Sequence, residues 1–86
     1  MCIAISKPAG VAIPSDQILK NCWDNNSDGA GFSFAFDHRV FIKKGFMTFK
    51  DFMTALKMYD EKYNLKECGM LMHFRIATHG AKDATM

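Results

Sequence analysis

Hydrophobic residues recur along this chain with two different periods, and the change between the periods predicts the order of its elements. Apolar side chains alternate strictly with small ones over residues 31–36, which is typical of a strand. A two-residue connection then leads to residues 39–44, which complete a hairpin that Gly45 is expected to end. The short β-branched segment 2–6 and the strongly apolar segment 68–77 are predicted as the first and last strands.

Two segments with helical periodicity lie between these strands. Ser15 is a suitable N-cap for a helix over residues 16–24. Thr48, followed three residues later by Asp51, resembles a capping box and is expected to begin the second helix, with residues 60–62 as a solvated tail. The apolar stripe of that second helix is formed by Phe49, Phe52, Met53, Leu56 and Tyr59.

This order predicts an α+β fold, β-α-β-β-α-β, with one mainly antiparallel four-stranded sheet and two helices on one face. We expect a single domain over residues 1–86. If the isoleucines of the first strand join the core, Cys2 lies on the same face of the sheet as His73 and Arg75. The pattern does not give the distance between them, because it leaves the register between strands open. The rows expected to meet the helices are Phe32, Phe34 and Phe36, and Met70, Met72, Phe74 and Ile76.

Composition and charge narrow the function classes. The net charge is +2 and the basic residues are scattered, so nucleic-acid binding is not indicated. No apolar run approaches the roughly 20 residues of a membrane span, and the start of the chain does not resemble a signal peptide. The three cysteines lack CxxC spacing, which argues against a disulfide framework and against a metal site. The cytoplasm is the compartment we expect.

Two positions could carry chemistry. If Met1 is removed, Cys2 bears a thiol and an α-amine on one residue, and the amine can act as the base that activates the thiol. While Met1 is present, that amine is part of a peptide bond. The planar guanidinium of Arg75 suits an amino-acid carboxylate. The alternatives are a buried cysteine at the start of a strand and a generic arginine at the end of one.

The chain resembles class II glutamine amidotransferases, which are N-terminal-nucleophile hydrolases, in three segments. The start Met-Cys matches the family's N-terminus, and the run His-Phe-Arg-Ile-Ala-Thr-His-Gly over residues 73–80 matches its second signature. Residues 26–31, Asn-Ser-Asp-Gly-Ala-Gly, are similar to the family's turn before a strand. The resemblance implies half of the family's four-layer αββα sandwich and a glutaminase that releases ammonia through a thioester, without a metal or an organic cofactor.

The resemblance also implies roles for single residues. Cys2 matches the nucleophile that attacks the side-chain amide of glutamine, and its α-amine matches the proton acceptor. His73 matches a motif position with a structural role. The positions matched to substrate binding are Arg75, Thr78, His79 and Gly80.

The chain departs from the family at several points. Position 3 is Ile where the family has Gly, and position 76 is Ile where it has Trp. The family's oxyanion-hole Asn-Gly pair and its amine-binding Asp follow the Thr-His-Gly turn, and this sequence ends six residues after Gly80. We therefore expect a truncated domain that is inactive as an isolated chain unless further chain or a partner completes it. Leu71 and Phe41 are expected on the uncovered face.

An alternative is a small non-enzymatic protein-binding module, such as a viral or mobile-element inhibitor of a host protein. Such a protein would bind its partner, or a second copy of itself, through the uncovered face or the edge of the sheet. If the chain is a glutaminase, glutamine is the expected ligand. If it is a binding module, a protein is the expected partner.

Overall fold

The computed structural model describes residues 2–76 of the chain. Four strands form one sheet in the order β1-β4-β2-β3, and every neighbouring pair is antiparallel. The predicted α+β class, with four strands and two helices, is confirmed. The strands are β1 (Cys2–Lys7), β2 (Gly29–Phe36), β3 (Arg39–Phe46) and β4 (Met70–Arg75), the helices are α1 (Asp16–Asn25) and α2 (Phe49–Tyr63), and a short 3₁₀ helix spans Leu65–Glu67.

The connections of the sheet interleave two β-α-β units. β4 lies between β1 and β2, so the connection through α1 passes over it. In the same way β2 lies between β3 and β4, and the connection through α2 passes over β2. The first and last described strands are therefore neighbours, and β1 and β3 are the two edges of the sheet.

The predicted helix starts are confirmed. The hydroxyl of Ser15 accepts from the backbone N–H of Ile18 at 3.3 Å, and Thr48 Oγ1 accepts from that of Asp51 at 3.1 Å. The prediction that residues 60–62 form a tail is wrong, because α2 continues to Tyr63.

The C-terminus of α2 is closed by a left-handed residue. Asn64 has φ 54°, and its N–H donates to the carbonyl of Asp60 at 2.8 Å. The carboxylate of Asp60 accepts from the N–H of Leu65 at 3.0 Å. The first of these bonds gives a partner to one of the carbonyls near the end of the helix, and the second ties the following turn to the helix.

The hairpin between β2 and β3 is the one the sequence predicts, but β3 is longer than expected. Asp37 and His38 have φ 52° and 60°, as a tight two-residue hairpin turn requires. Gly45 does not end the strand. It has φ 84° and takes part in a bulge, so that β3 pairs again at Phe46.

The core lies between the helices and one face of the sheet. Buried side chains of α1, α2, β2 and β4 form a single cluster, which puts both helices on that face. Phe41 also lies on this face, since its ring is 5.1 Å from that of Phe34 and 5.3 Å from that of Tyr63. The prediction that Phe41 is part of the uncovered face is wrong. The fully buried members of the cluster include Leu19, Phe32, Phe34, Phe52, Leu56, Met72 and Phe74.

Candidate functional site

Cys2 and Arg75 are direct partners across two neighbouring strands. In the antiparallel ladder of β1 and β4, Cys2 is opposite Arg75, and Ala4 is opposite His73. Such partners have β-carbons about 5 Å apart on the same face of a sheet. Cys2 is exposed and Arg75 is half-buried. The shared face predicted from side-chain alternation is confirmed, and the register that the sequence left open is fixed.

The turn before β2 is held against the end of β4. The N–H of Asp28 donates to the carbonyl of Arg75 at 2.7 Å, and Gly29 is the partner of Arg75 in the ladder. Asn26 and Asp28 are both buried, and the side-chain amide of Asn26 donates to the carbonyl of Cys22 at 3.3 Å. The described parts of the three segments that carry the family resemblance therefore meet at one corner of the sheet.

His73 lies on the same face, over a glycine. Its Cε1 atom is 3.1 Å from the position that a β-carbon on Gly31 would take. The same position is 3.0 Å from the carbonyl oxygen of Lys43 and 3.1 Å from the Cα of Lys44. Only glycine leaves room there for the imidazole. Sequence reasoning grouped Gly31 with other small residues and missed this role.

Burial keeps His73 neutral near pH 7. Desolvation lowers the pKa of the imidazole below its ordinary value, and the nearby positive charge of Lys44 lowers it further. Nε2 of His73 is buried and has no hydrogen-bond partner among residues 2–76. The ring therefore fills space beside the Cys2–Arg75 pair and adds no charge to it.

A β-bulge brings Lys44 to this face. Ala30 pairs with Phe46 and Phe32 pairs with Lys43, so two residues of β3, Lys44 and Gly45, are opposite Gly31 alone. A glycine with positive φ is typical of one bulge class, and bulges redirect neighbouring side chains. The Lys-Lys-Gly sequence at the end of an alternating strand was the available signal, because an isolated glycine in a strand suggests a bulge.

The rest of the uncovered face is partly apolar. Val40 is 67% exposed, Ile42 is 64% exposed and Leu71 is 45% exposed. The ladder puts Ser33 between Leu71 on β4 and Ile42 on β3, so the two apolar side chains lie in one row with a small polar residue between them. The predicted exposure of Leu71 is confirmed.

The remaining predicted site residues, Thr78, His79 and Gly80, lie outside the described part of the chain. Between residues 2 and 76, no three His, Cys, Asp or Glu side chains are grouped closely enough to hold a metal ion. Neither helix of this part of the chain has the length and apolarity needed to cross a membrane.

The described site is thus a thiol, a guanidinium and a neutral imidazole on one face, with a lysine at its border. Comparison of the chain with protein-family models, with curated proteins and with solved structures gave no match.

Proposed function

We propose that this chain carries the nucleophile and the carboxylate-binding arginine of a glutaminase site of the class II amidotransferase type. The observation that carries the proposal is the register that puts Cys2 opposite Arg75 on one face of the sheet. Glutamine has an α-carboxylate at one end and a side-chain amide at the other. A guanidinium that binds the carboxylate would hold the amide within reach of a neighbouring thiol.

The chemistry follows from an N-terminal cysteine. Where further chain or a partner completes the site and Met1 has been removed, the α-amine of Cys2 accepts the thiol proton, and the thiolate attacks the carbonyl carbon of the glutamine amide. The new C–S bond forms as the C–N bond breaks, and the proton passes to the departing nitrogen, which leaves as ammonia. Water then hydrolyses the thioester to glutamate and restores the thiol. A reducing compartment such as the cytoplasm suits this thiol.

His73 and the turn over residues 26–31 support the site without taking part in bond formation. The neutral imidazole packs over Gly31, and the buried turn fixes the end of β4 through the backbone of Asp28. Both contacts hold the strand that carries Arg75 against β2. A site built on strands is held more precisely than one built on loops.

The sharpest test is directed at the step that Cys2 and Arg75 carry. The chain is prepared with Cys2 as its first residue, which intact mass verifies, and is treated with a chloroketone analogue of glutamine. The thiolate of Cys2 displaces chloride, and peptide mapping identifies the alkylated cysteine. We expect Cys2 to be alkylated faster than the half-buried Cys22, and L-glutamine to slow the reaction at Cys2 alone.

Substitutions distinguish recognition of L-glutamine by Arg75 from the mere exposure of the Cys2 thiol. Arg75→Gln should abolish protection by L-glutamine, while Cys2 of the variant still reacts with iodoacetamide. Arg39→Gln, in which an exposed arginine of β3 is replaced, is the matched control and should keep the protection. Equal alkylation of Cys2 with and without L-glutamine would reject the glutaminase site.

A second candidate function, non-enzymatic protein binding, is favoured by a separate observation. Val40 and Ile42 are each about two-thirds exposed on the same face as the site, at 67% and 64%, and Leu71 lies on β4 on the far side of Ser33 from Ile42. Apolar side chains grouped on a surface usually mark a binding site. This function needs neither the thiol of Cys2 nor the removal of Met1.

A further inference from the structure

We propose that Val40, Ile42 and Leu71, here called the apolar strip, dock a short acidic segment of a partner protein. The segment would cover the strip with apolar side chains and pair a carboxylate with Lys44. This inference rests on the binding function proposed above and is independent of the chemistry of Cys2.

The edges of the sheet are poorly suited to pairing with another strand. β1 carries Lys7 on the core side, where its ammonium is buried and donates to the carbonyl of Cys68 at 2.5 Å and to that of Lys66 at 3.2 Å. β3 carries the bulge at Lys44 and Gly45. An inward-pointing charge and a bulge are both devices by which natural edge strands resist pairing. The face of the sheet is therefore the better binding surface.

The charge of the face selects the partner. The strand positions on the uncovered face that carry a charge are Lys44 and Arg75, and both are cations. No Asp or Glu occupies a strand position on that face within residues 2–76. Complementary charges favour specific partners and speed their encounter, and like charges are penalised. An acidic segment is favoured over a second copy of this cationic face.

The area of the uncovered face also favours a short segment over a second copy of the chain. Four strands about 4.8 Å apart and about 20 Å long present roughly 400 Å². A standard protein–protein interface buries about 800 Å² on each partner, so this face alone is too small to hold two globular copies together. The area is enough for a short segment.

The test uses two synthetic peptides as probes. One has the sequence Glu-Glu-Val-Thr-Val-Thr-Val-Glu-Glu, and the other has lysine in place of every glutamate. Methyl resonances of Val40, Ile42 and Leu71 report binding at the strip, and those of Ile18 on α1 report binding elsewhere. We expect the acidic peptide to shift the strip methyls and to bind at least about tenfold more tightly than the basic one.

Substitutions then separate the contribution of the charge of Lys44 from that of the apolar side chains of the strip. Lys44→Glu should reverse the preference between the peptides, because it inverts the charge beside the strip without removing a packed side chain. Val40→Thr combined with Ile42→Thr should weaken the acidic peptide about tenfold. Ile18→Thr, which replaces a 51% exposed side chain on α1, is the matched control and should leave binding unchanged.

Failure of both peptides to shift the strip methyls, equal affinity for both, or concentration-dependent self-association through the strip would overturn the proposal. Binding to vesicles containing phosphatidylserine without binding to the acidic peptide would also overturn it, in favour of a lipid surface. Cys2→Ala should bind the acidic peptide as the unchanged chain does, so failure here and failure of the glutaminase site can be told apart.

Discussion

The imidazole of His73 occupies the space that a side chain at position 31 would need, with Cε1 3.1 Å from the site of a β-carbon on Gly31. We predict that Gly31→Ala lowers the free energy of unfolding by about 1–3 kcal/mol. The new methyl group meets backbone atoms of β3 as well as the imidazole, and backbone atoms cannot rotate away as a side chain can. Urea denaturation measures the loss. Gly69→Ala is the control, since nothing lies within 4 Å of a β-carbon there, and equal losses for both variants would contradict the contact.

The lowered pKa of His73 makes the stability of the fold depend on pH. The unfolded imidazole titrates near its ordinary value of about 6.5, and the folded one titrates lower, so the unfolded chain binds more protons in between. The contribution of His73 to stability is therefore fully present above about pH 6.5 and is lost as the pH falls toward the folded pKa. Denaturation midpoints at pH 5 and pH 7.5 measure it.

His73→Gln should reduce this pH dependence. Proton NMR gives a direct check on the same group. A His73 resonance that titrates at or above pH 6.5 in the folded chain would contradict the burial of its ring.

Lys7 holds the segment before β4 by hydrogen bonds to its backbone. Its buried ammonium donates to the carbonyls of Cys68 and Lys66, and burial lowers the pKa of the amine. We predict that Lys7→Met lowers the free energy of unfolding by about 1–3 kcal/mol, since the carbonyl of Cys68 loses its buried donor, whereas that of Lys66 keeps the N–H of Gly10. Lys50→Met, at an exposed position of α2, should change it by no more than about 0.5 kcal/mol. Equal thermal denaturation midpoints for the two variants would refute this role.

Thr48 is the N-cap of α2, and its hydroxyl accepts from the N–H of Asp51 at 3.1 Å. Thr48→Ala should lower the free energy of unfolding by about 1 kcal/mol, because one N–H of the first turn loses its acceptor. Thr54→Ala, within the same helix and exposed, is the matched control. The cap contributes nothing measurable if urea midpoints of the two variants coincide.

The order of the elements could be predicted because each has a clear local signal. The strict alternation over residues 31–36 and the caps at Ser15 and Thr48 depend on neighbours in sequence, and these predictions are confirmed. The extension of α2 was missed because residues 60–62 are polar. Tyr63, four residues after Tyr59, continues the apolar stripe and was the overlooked signal.

The site could be predicted only in part, because it depends on pairing between distant segments. Side-chain alternation put Cys2 and Arg75 on one face, but no local pattern gives the register between the first and last strands. Phe41 was assigned to the wrong face, although a two-residue turn already pairs it with Phe34. The packing of His73 over Gly31 lies beside the bulge in β3, for which the glycine after Lys44 was the one signal in the sequence.

The pairing of β1 with β4 also has a consequence for the order of events during synthesis. Residue 2 finds its partner only when residue 75 has been made, so β1 cannot join the sheet until almost the whole described chain exists. Contacts so distant in sequence form late, because the entropy of closing a long loop opposes them. The strand that begins with Cys2 thus remains unpaired through most of translation and can join the sheet only after the other three strands have been made.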